Sequence, residues 1–423
     1  MSAPDFIARA LAVQERRSVR RAEILRRLQR GILRGGLRTA AMASPPTIAG
    51  TPSGTSAITG TIYGIANAGT ATAAPDTTRM TFLRATWARL GGSFPSFYYL
   101  KGTAANYNGS TVNAGTAPMV RFYSDAPDLE LVNKVSSGAY SVYVDGQLVS
   151  ASTLGAGGTG NSNDQKFTRI TWGDGSGTYR KVRLYEVEGA SNMSFGGIKV
   201  PTASKIWPAP LGDDKLRGVV FGDSFTERSL GKYLPQMLGQ PDTRASGVGG
   251  SGWIATNGGN AFKAIERVQA DVIAAAPHFI VDLFGLNDTG QSTAAITAAG
   301  NLLYNTIQAA LPDTLIFMTG PMSPNTASNT NGVAVRDGKL AVCTGRKNCF
   351  FTDNLGLNPP WVTGTGRSGS PTGDGNADWV TGGTDGSDTT HPTDLLGGQY
   401  LAQRIALDAV LGPVTGELAA LGY

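Results

Sequence analysis

The sequence predicts an α/β protein, with a helix-covered parallel sheet in its C-terminal half, preceded by a β-sandwich and an N-terminal amphipathic helix. Three observations predict this order. Arginines surround a helical apolar stripe in residues 1–38, short β-type runs fill residues 77–210, and apolar strands alternate with helices in residues 211–423. Between the helix and the sandwich, residues 39–76 form a linker or arm.

The N-terminal segment is predicted to be helical over residues 5–34, because apolar residues recur there at helical spacing: Ile7, Leu11, Ile24, Leu25, Leu28 and Ile32. Residues 1–40 hold ten arginines against three acids, a net charge of +7, so the rest of the chain carries −2 of the total of +5. The stripe indicates docking on a partner, on another copy or on the chain itself, and an anionic membrane surface is an alternative. It resembles the attachment end of a phage tail or surface assembly. No nucleic-acid partner is expected, because the body has no basic face.

Residues 39–76 are rich in Ala, Gly, Ser, Thr and Pro, and carry no charge before Asp76. Such a composition is typical of a linker or extended arm. Residues 77–210 contain Val-, Tyr-, Phe- and Thr-rich runs separated by turns such as "VDGQ". Their spacing predicts a β-sandwich.

From residue 211 the strand-like runs "RGVVFG", "HFIVDLFG", "TLIFMTG" and "NCFFTD" alternate with helical segments. This alternation indicates a parallel sheet with helices on both faces. Reactive residues gather at the carboxyl ends of the strands in such sheets. Residues 222–224 and 285–288 both fall at such ends.

Ser224 follows the first of these strands, where a serine is either a helix N-cap or a nucleophile. A nucleophile needs a base. His278 begins a strand and so falls at the opposite edge of the sheet, whereas His391 lies in a polar loop three residues after Asp388. A carboxylate at that spacing can hold the imidazole in one tautomer. The Asn287 amide and the glycine loop of residues 245–253 offer donors for an oxyanion hole.

Ser224 in "GDS", Gly250 in the glycine loop, Asn287 in "GLND", and Asp388 with His391 as "DxxH" together resemble the SGNH (GDSL-type) hydrolases. The resemblance covers residues 214–412 and implies a three-layer α/β/α (flavodoxin-like) fold and a cofactor-free esterase. By this resemblance Ser224 is the nucleophile, His391 the general base and Asp388 its orienting acid. The oxyanion hole would comprise the Ser224 and Gly250 N–H groups and the Asn287 side chain; Gly249 can replace Gly250 after a one-residue slip.

A β-sandwich ahead of such a domain resembles the arrangement in some carbohydrate esterases, and this resemblance implies that residues 77–210 support the rim of the active site or bind carbohydrate. We therefore expect hydrolysis of small acyl groups, acetyl above all, from a polysaccharide, with Trp253 and Trp379 binding the substrate. One alternative is a glycan-binding virion or adhesin protein with a vestigial site. Another is a lipid or thioester hydrolase, which the polar loop around residues 361–379 disfavours.

The remaining sequence features concern disulfide formation, metal binding and the cellular location of the protein. Cys343 and Cys349 either form a disulfide or stay as two thiols. With two histidines in the chain, we expect no metal site. No run approaches the ~20 apolar residues of a membrane span, and the N-terminus lacks a secretory h-region. An extracellular or virion-associated location is favoured.

Overall fold

A computed structural model describes the following residues of the chain: 20–35, 42–49, 53–68, 70, 72–89, 100–103, 118–134, 140–150, 154, 165–173, 181–189, 192–212, 215–256, 262–322, 329–356, 360–366, 370, 372–380, 390–393 and 396–422. They form two compact units. The β unit lies within Gly35–Ala105 and Thr116–Gly212, and the α/β unit lies within Met1–Arg34 and Asp213–Tyr423.

The β unit consists of short strands: β1 (Thr47–Ile48), β2 (Gly60–Tyr63), β3 (Ile65–Ala66), β4 (Ala74–Pro75), β5 (Thr81–Leu83), β6 (Thr86–Arg89), β7 (Leu100–Thr103), β8 (Met119–Ser124), β9 (Asp128–Lys134), β10 (Tyr140–Val144), β11 (Gln147–Leu148), β12 (Gln165–Thr171), β13 (Arg183–Gly189), β14 (Asn192–Pro201) and β15 (Ile206–Pro208). One antiparallel sheet has the order β1-β12-β9-β14-β7-β6, with β2 also on β14. The other has the order β11-β10-β13-β8-β15, with β5 also on β8.

The two sheets of the β unit contribute side chains to one apolar cluster. Phe122 and Val187 come from one sheet, and Leu131 and Ile198 from the other. The predicted turn "VDGQ" joins β10 to β11, and Asp145 and Gly146 both have positive φ, as a tight hairpin turn requires.

The α/β unit contains five parallel strands: β16 (Arg217–Gly222), β17 (Asp242–Gly247), β18 (Phe279–Asp282), β19 (Leu315–Thr319) and β20 (Cys349–Thr352). Their order is β17-β16-β18-β19-β20, which is the doubly wound order 2-1-3-4-5. The helices are α1 (residues 20–35), α2 (Gly231–Met237), α3 (Ala264–Asp271), α4 (Thr293–Ala310), α5 (Asn329–Cys343), α6 (Ala377–Val380), α7 (Leu396–Arg404) and α8 (Gly412–Ala420).

Helices cover both faces of this sheet because the buried strands alternate their side chains between two cores. Val220 of β16 joins the cluster that α1, α2, α7 and α8 cover. Its neighbours Val219 and Phe221 join the cluster that α3, α4 and α5 cover. The predicted helix-covered parallel sheet is therefore present, and its strands end on one edge, where the candidate site lies.

The apolar stripe of α1 packs into the α/β unit itself. Ile24, Leu25, Leu28 and Ile32 are buried in the cluster with Val220 and Phe225 of the sheet region. Arg21 pairs with Glu417 at 2.8 Å, and Gln240 Nε2 donates to the Arg27 carbonyl at 3.1 Å. The side chains of the stripe are therefore buried within the unit and not free to bind a partner. Residues 5–19 of the predicted helix lie outside the described residues.

Cys343 and Cys349 form a disulfide that links the end of α5 to the start of β20. This resolves the alternative between a disulfide and two thiols. Among the residues that the structure describes, no helix is long and apolar enough to cross a membrane.

Candidate active site

The corner after β16 shows which residue caps the helix that begins at Ser224. Asp223 provides the cap, because its Oδ1 accepts the Phe225 N–H at 3.0 Å. Ser224 is half-buried, and its hydroxyl makes no hydrogen bond to any residue that the structure describes. Ser224 thus stands at the carboxyl end of a buried strand, between β17 and β18, with its hydroxyl not engaged in capping.

The carboxyl group of Asp223 has no exposed surface. Burial raises the pKa of Asp223 to about 7, against the opposing effects of the Phe225 N–H and the Lys339 charge. The residue directly before the candidate nucleophile therefore changes charge near neutral pH.

Asn287 lies in the 3₁₀ turn Leu286–Asp288, which follows β18. Gly285, which has φ 139°, directly precedes this turn. Its Nδ2 donates to the Ser251 carbonyl at 3.0 Å and to Asp223 Oδ2 at 3.3 Å. The structure therefore brings the predicted oxyanion side chain to both the Ser224 corner and the glycine loop. Since both amide hydrogens are engaged, Asn287 must exchange one of these acceptors to bind an oxyanion.

The glycine loop follows β17, and the structure distinguishes Gly249 from Gly250. The Gly249 N–H donates to Glu227 Oε2 at 2.6 Å, and a Cβ at this position would lie 3.6 Å from the Ser224 Cβ. Gly250 has φ 72°, and its N–H makes no hydrogen bond to the described residues. Among the described residues the Gly249 N–H is engaged and the Gly250 N–H is not, so Gly250 stays the predicted backbone donor.

His391 is buried and packs on Phe225, with ring centroids 5.3 Å apart. Its Nδ1 lies 3.0 Å from Nη1 of Arg228. Because a guanidinium group only donates, Nδ1 is the acceptor here, and the proton of a neutral ring lies on Nε2. Asp388 lies outside the described residues, so its orienting role stays a prediction. The structure thus brings His391 to the Ser224 corner. Arg228 contacts Nδ1, which is the nitrogen that Asp388 would bind in the predicted triad.

The two predicted substrate-binding tryptophans have different environments. Trp253 is 3% exposed, and its Nε1 donates to Asp282 Oδ2 at 3.0 Å. Its ring packs in the core, which places it away from any sugar-facing surface and corrects the expectation for this residue. Trp379 in α6 is half-buried, and its carbonyl accepts the Thr393 N–H at 2.9 Å, two residues after His391. It remains a candidate for substrate contact.

His278 lies at the opposite edge of the sheet, as its sequence position predicts. Its Nδ1 accepts the Arg217 N–H at 3.1 Å, at the amino ends of β16 and β18. Burial, together with the charges of Arg20 and Arg217, lowers the pKa of His278. Within the described part of the chain, no three His, Cys, Asp or Glu side chains are placed to hold a metal ion.

A pocket adjoins Phe225 on the α7 side of the sheet. Its lining is apolar and includes Met322, Leu355 and Trp361. The polar residue of the lining, Asn354, donates its amide to the Pro321 carbonyl at 3.0 Å. The pocket therefore offers apolar contact but no reactive group.

Glu227 and Asp288 contact the glycine loop, although the sequence analysis assigned them no role. Glu227 lies three residues after Ser224, close to one turn of helix, and Asp288 directly follows Asn287. An acid close in sequence to a predicted oxyanion donor is the signal that could have identified them. Their contacts with backbone N–H groups depend on the fold, which local sequence does not show.

No protein-family model matches the chain, and no curated protein does. Solved structures do match. The chain is similar to a family two carbohydrate esterase from Cellvibrio japonicus, with 12% identity and a TM-score of 0.51, over 81% of this chain and 96% of that chain. This similarity shows a shared fold.

Two further structures are similar at lower TM-scores. One is a family two carbohydrate esterase from Clostridium thermocellum in complex with cellohexaose, with 14% identity and a TM-score of 0.49, over 80% of this chain and 99% of that chain. The other is described as a GDSL-like lipase from Bacteroides ovatus, with 13% identity and a TM-score of 0.46, over 80% and 98% of the two chains.

Proposed function

We propose that this protein is a serine esterase that removes small acyl groups, acetyl above all, from a polysaccharide. Ser224 is the nucleophile, His391 the general base and Asp388 its orienting acid. The N–H groups of Ser224 and Gly250 and the side chain of Asn287 stabilise the oxyanion. The reaction needs no cofactor.

The observation that carries this proposal is the meeting of distant segments at one edge of the sheet. The Ser224 corner, the glycine loop and Asn287 are tied together by the Asn287 bonds to Asp223 and Ser251. His391, 167 positions after Ser224, packs on the next residue, Phe225. A nucleophile, a base and oxyanion donors in one place are the requirements of acyl transfer.

The chemistry follows from these positions. The Ser224 Oγ attacks the acyl carbonyl while His391 Nε2 takes its proton. The carbonyl oxygen becomes an oxyanion that the Ser224 and Gly250 N–H groups and Asn287 bind. The sugar hydroxyl leaves with the proton from His391. Water then attacks the acyl-serine by the same steps, and the carboxylic acid is released.

His391 can accept that proton at Nε2 only when its own proton lies on Nδ1. The 3.0 Å contact from Arg228 to Nδ1 opposes this tautomer. Catalysis therefore requires Arg228 to leave Nδ1 and a carboxylate to take its place. In the proposed mechanism that carboxylate is Asp388.

The polysaccharide substrate is supported by the fold shared with a carbohydrate esterase and by the half-buried Trp379 near His391. Attachment to a virion or cell surface through residues 1–38 also remains part of the proposal. In the described part of that segment, the apolar stripe is buried against the α/β unit. Attachment would therefore use residues 1–19 or the exposed arginine face.

The test is hydrolysis of p-nitrophenyl acetate, butyrate and octanoate by the wild type and by Ser224→Ala. We expect acetate to be preferred, and the variant to lose roughly 10³-fold or more in kcat. Ser53→Ala, an exposed serine in the β unit, is the matched control and should retain activity. Activity that survives Ser224→Ala would refute the proposal. An inactive wild type would leave a glycan-binding protein as the better account, and an octanoate preference would favour a lipid hydrolase.

A further inference from the structure

In the glycine loop and the residues that follow it, 248–255, every backbone N–H group except one donates a hydrogen bond to a described residue. Val248 donates to the Gly222 carbonyl, Ser251 to the Val248 carbonyl and Gly252 to the Ala255 carbonyl, at 3.0 to 3.3 Å. Side-chain carboxylates accept the N–H groups of Gly249 and of residues 253–255. Among the described residues, the Gly250 N–H is left with no acceptor.

Glu227 binds the backbone near the start of residues 248–255. Its half-buried carboxylate accepts the Gly249 N–H at 2.6 Å, one residue before Gly250. Glu227 lies on the same helical turn as Ser224, so the bond fixes the loop relative to the nucleophile. The fit is close, because a Cβ at Gly249 would lie 2.9 Å from Glu227 Oε2.

Asp288 binds the backbone at the other end, residues 253–255. Its carboxylate is 1% exposed and accepts the N–H groups of Trp253 at 2.8 Å, Ile254 at 3.1 Å and Ala255 at 2.8 Å. Because Asp288 directly follows Asn287, these bonds fix the loop relative to the second oxyanion donor. A Cβ at Gly252 would collide with the same carboxylate.

We infer that Glu227 and Asp288 are positioning residues of the oxyanion hole, which hold the glycine loop at both ends so that the Gly250 N–H faces the acyl oxygen. This inference rests on the proposed esterase function. Preorganised donors stabilise an oxyanion because they need no rearrangement during the reaction. The two carboxylates act through the backbone and do not touch the substrate.

Hydrogen-bond donors and one cation lie close to the two acids. Three N–H groups surround the Asp288 carboxylate. The fully buried Arg267 lies against the same loop, with Nη2 donating to the Ser246 carbonyl at 2.9 Å and Nη1 to the Ser251 hydroxyl at 3.0 Å. Arg267 also pairs with Asp271 at 3.0 Å, so its charge offsets that of Glu227 only in part, and burial still raises the pKa of Glu227.

The test compares Glu227→Ala, Glu227→Gln and Asp288→Asn with the wild type on p-nitrophenyl acetate. Glu227→Ala removes the acceptor, whereas Glu227→Gln keeps an amide oxygen for the Gly249 N–H. Asp288→Asn replaces one acceptor oxygen by a donor. Asp125→Asn is the matched control, because Asp125 accepts the Lys205 N–H at 2.7 Å in the β unit. Thermal unfolding is recorded for each variant.

We expect Glu227→Ala and Asp288→Asn to lower kcat at least tenfold with KM little changed, and Glu227→Gln to restore most of the loss. Inhibition by a trifluoromethyl ketone, which forms an oxyanion on Ser224, should weaken by the same factor as kcat. Asp125→Asn should change neither. A folded Glu227→Ala variant with wild-type kcat and wild-type ketone affinity would overturn the inference, even if Asp288→Asn fails to fold.

Failure of the inference differs from failure of the esterase proposal. If the wild type hydrolyses the ester and Ser224→Ala does not, the esterase proposal stands, and the Glu227 variants decide the inference. If the wild type is inactive or Ser224→Ala retains the activity, the esterase proposal fails, and the inference fails with it.

Discussion

Asp223 combines complete burial with a position directly before Ser224. The hydrogen bond from Phe225 and the charge of Lys339 favour its carboxylate form, but burial is the larger effect and raises the pKa of Asp223 from its usual 3.8 to about 7. Between these two pH values the native state holds a proton that the unfolded state has lost. The contribution of Asp223 to stability is therefore full below about pH 4 and is lost as the pH rises to about 7.

We expect Asp223→Asn to remove this pH dependence. At 1.36 kcal/mol per pH unit, wild-type stability relative to the variant should fall by roughly 3 kcal/mol between pH 4.5 and 7.5. Urea unfolding of both proteins at the two pH values measures the difference. Asp125→Asn is the control and should follow the wild type. Equal pH dependence in wild type and Asp223→Asn would contradict the assigned burial effect.

At the scale of an element, α1 is part of the α/β unit. Leu25 and Leu28 have no exposed surface and pack with residues of the sheet and of α2. Ion pairs of Arg20 with Asp313 and of Arg21 with Glu417 add contacts at the surface, which contribute little by comparison. The helix is held by burial of its apolar stripe.

We expect Leu25→Ala or Leu28→Ala to lower the free energy of unfolding of the α/β unit by about 2–5 kcal/mol, because each leaves a cavity in the core. The matched control is Leu33→Ala, since Leu33 is 68% exposed in the same helix; it should change stability by less than about 0.5 kcal/mol. Urea unfolding followed by tryptophan fluorescence measures both. Equal, small effects at all three positions would show that α1 is not docked.

At the scale of the whole molecule, the sequence predicts the elements that depend on local pattern. The apolar run of β16 followed by "GDS" predicts the edge position of Ser224, and "VDGQ" predicts the turn between β10 and β11. The placement of His278 and Asn287 at opposite edges of the sheet also follows from the alternation of strands and helices, whereas the strand order does not. In each case the information lies within a few neighbouring residues.

Contacts between distant segments are not predictable in this way. The stripe of α1 is visible in the sequence, but a stripe does not specify which surface it covers, and here that surface is built from residues between Leu216 and Leu418. Trp253 lies beside a glycine loop and so resembles an exposed residue, yet Asp282 and α4 enclose it. The hydrogen bonds that the N–H groups of residues 253–255 donate to Asp288 likewise exist only once β17 and β18 flank β16.

The central claim is that Ser224 is a nucleophile, and active-site labelling of the full chain tests it most directly. The protein is treated with a fluorophosphonate, which forms a covalent bond with an activated serine, and the adduct is located by peptide mass spectrometry. The account predicts one adduct per chain, on Ser224, with none in Ser224→Ala and an unchanged yield in Ser53→Ala. An adduct on another serine, or no adduct in a preparation that hydrolyses esters, would contradict it.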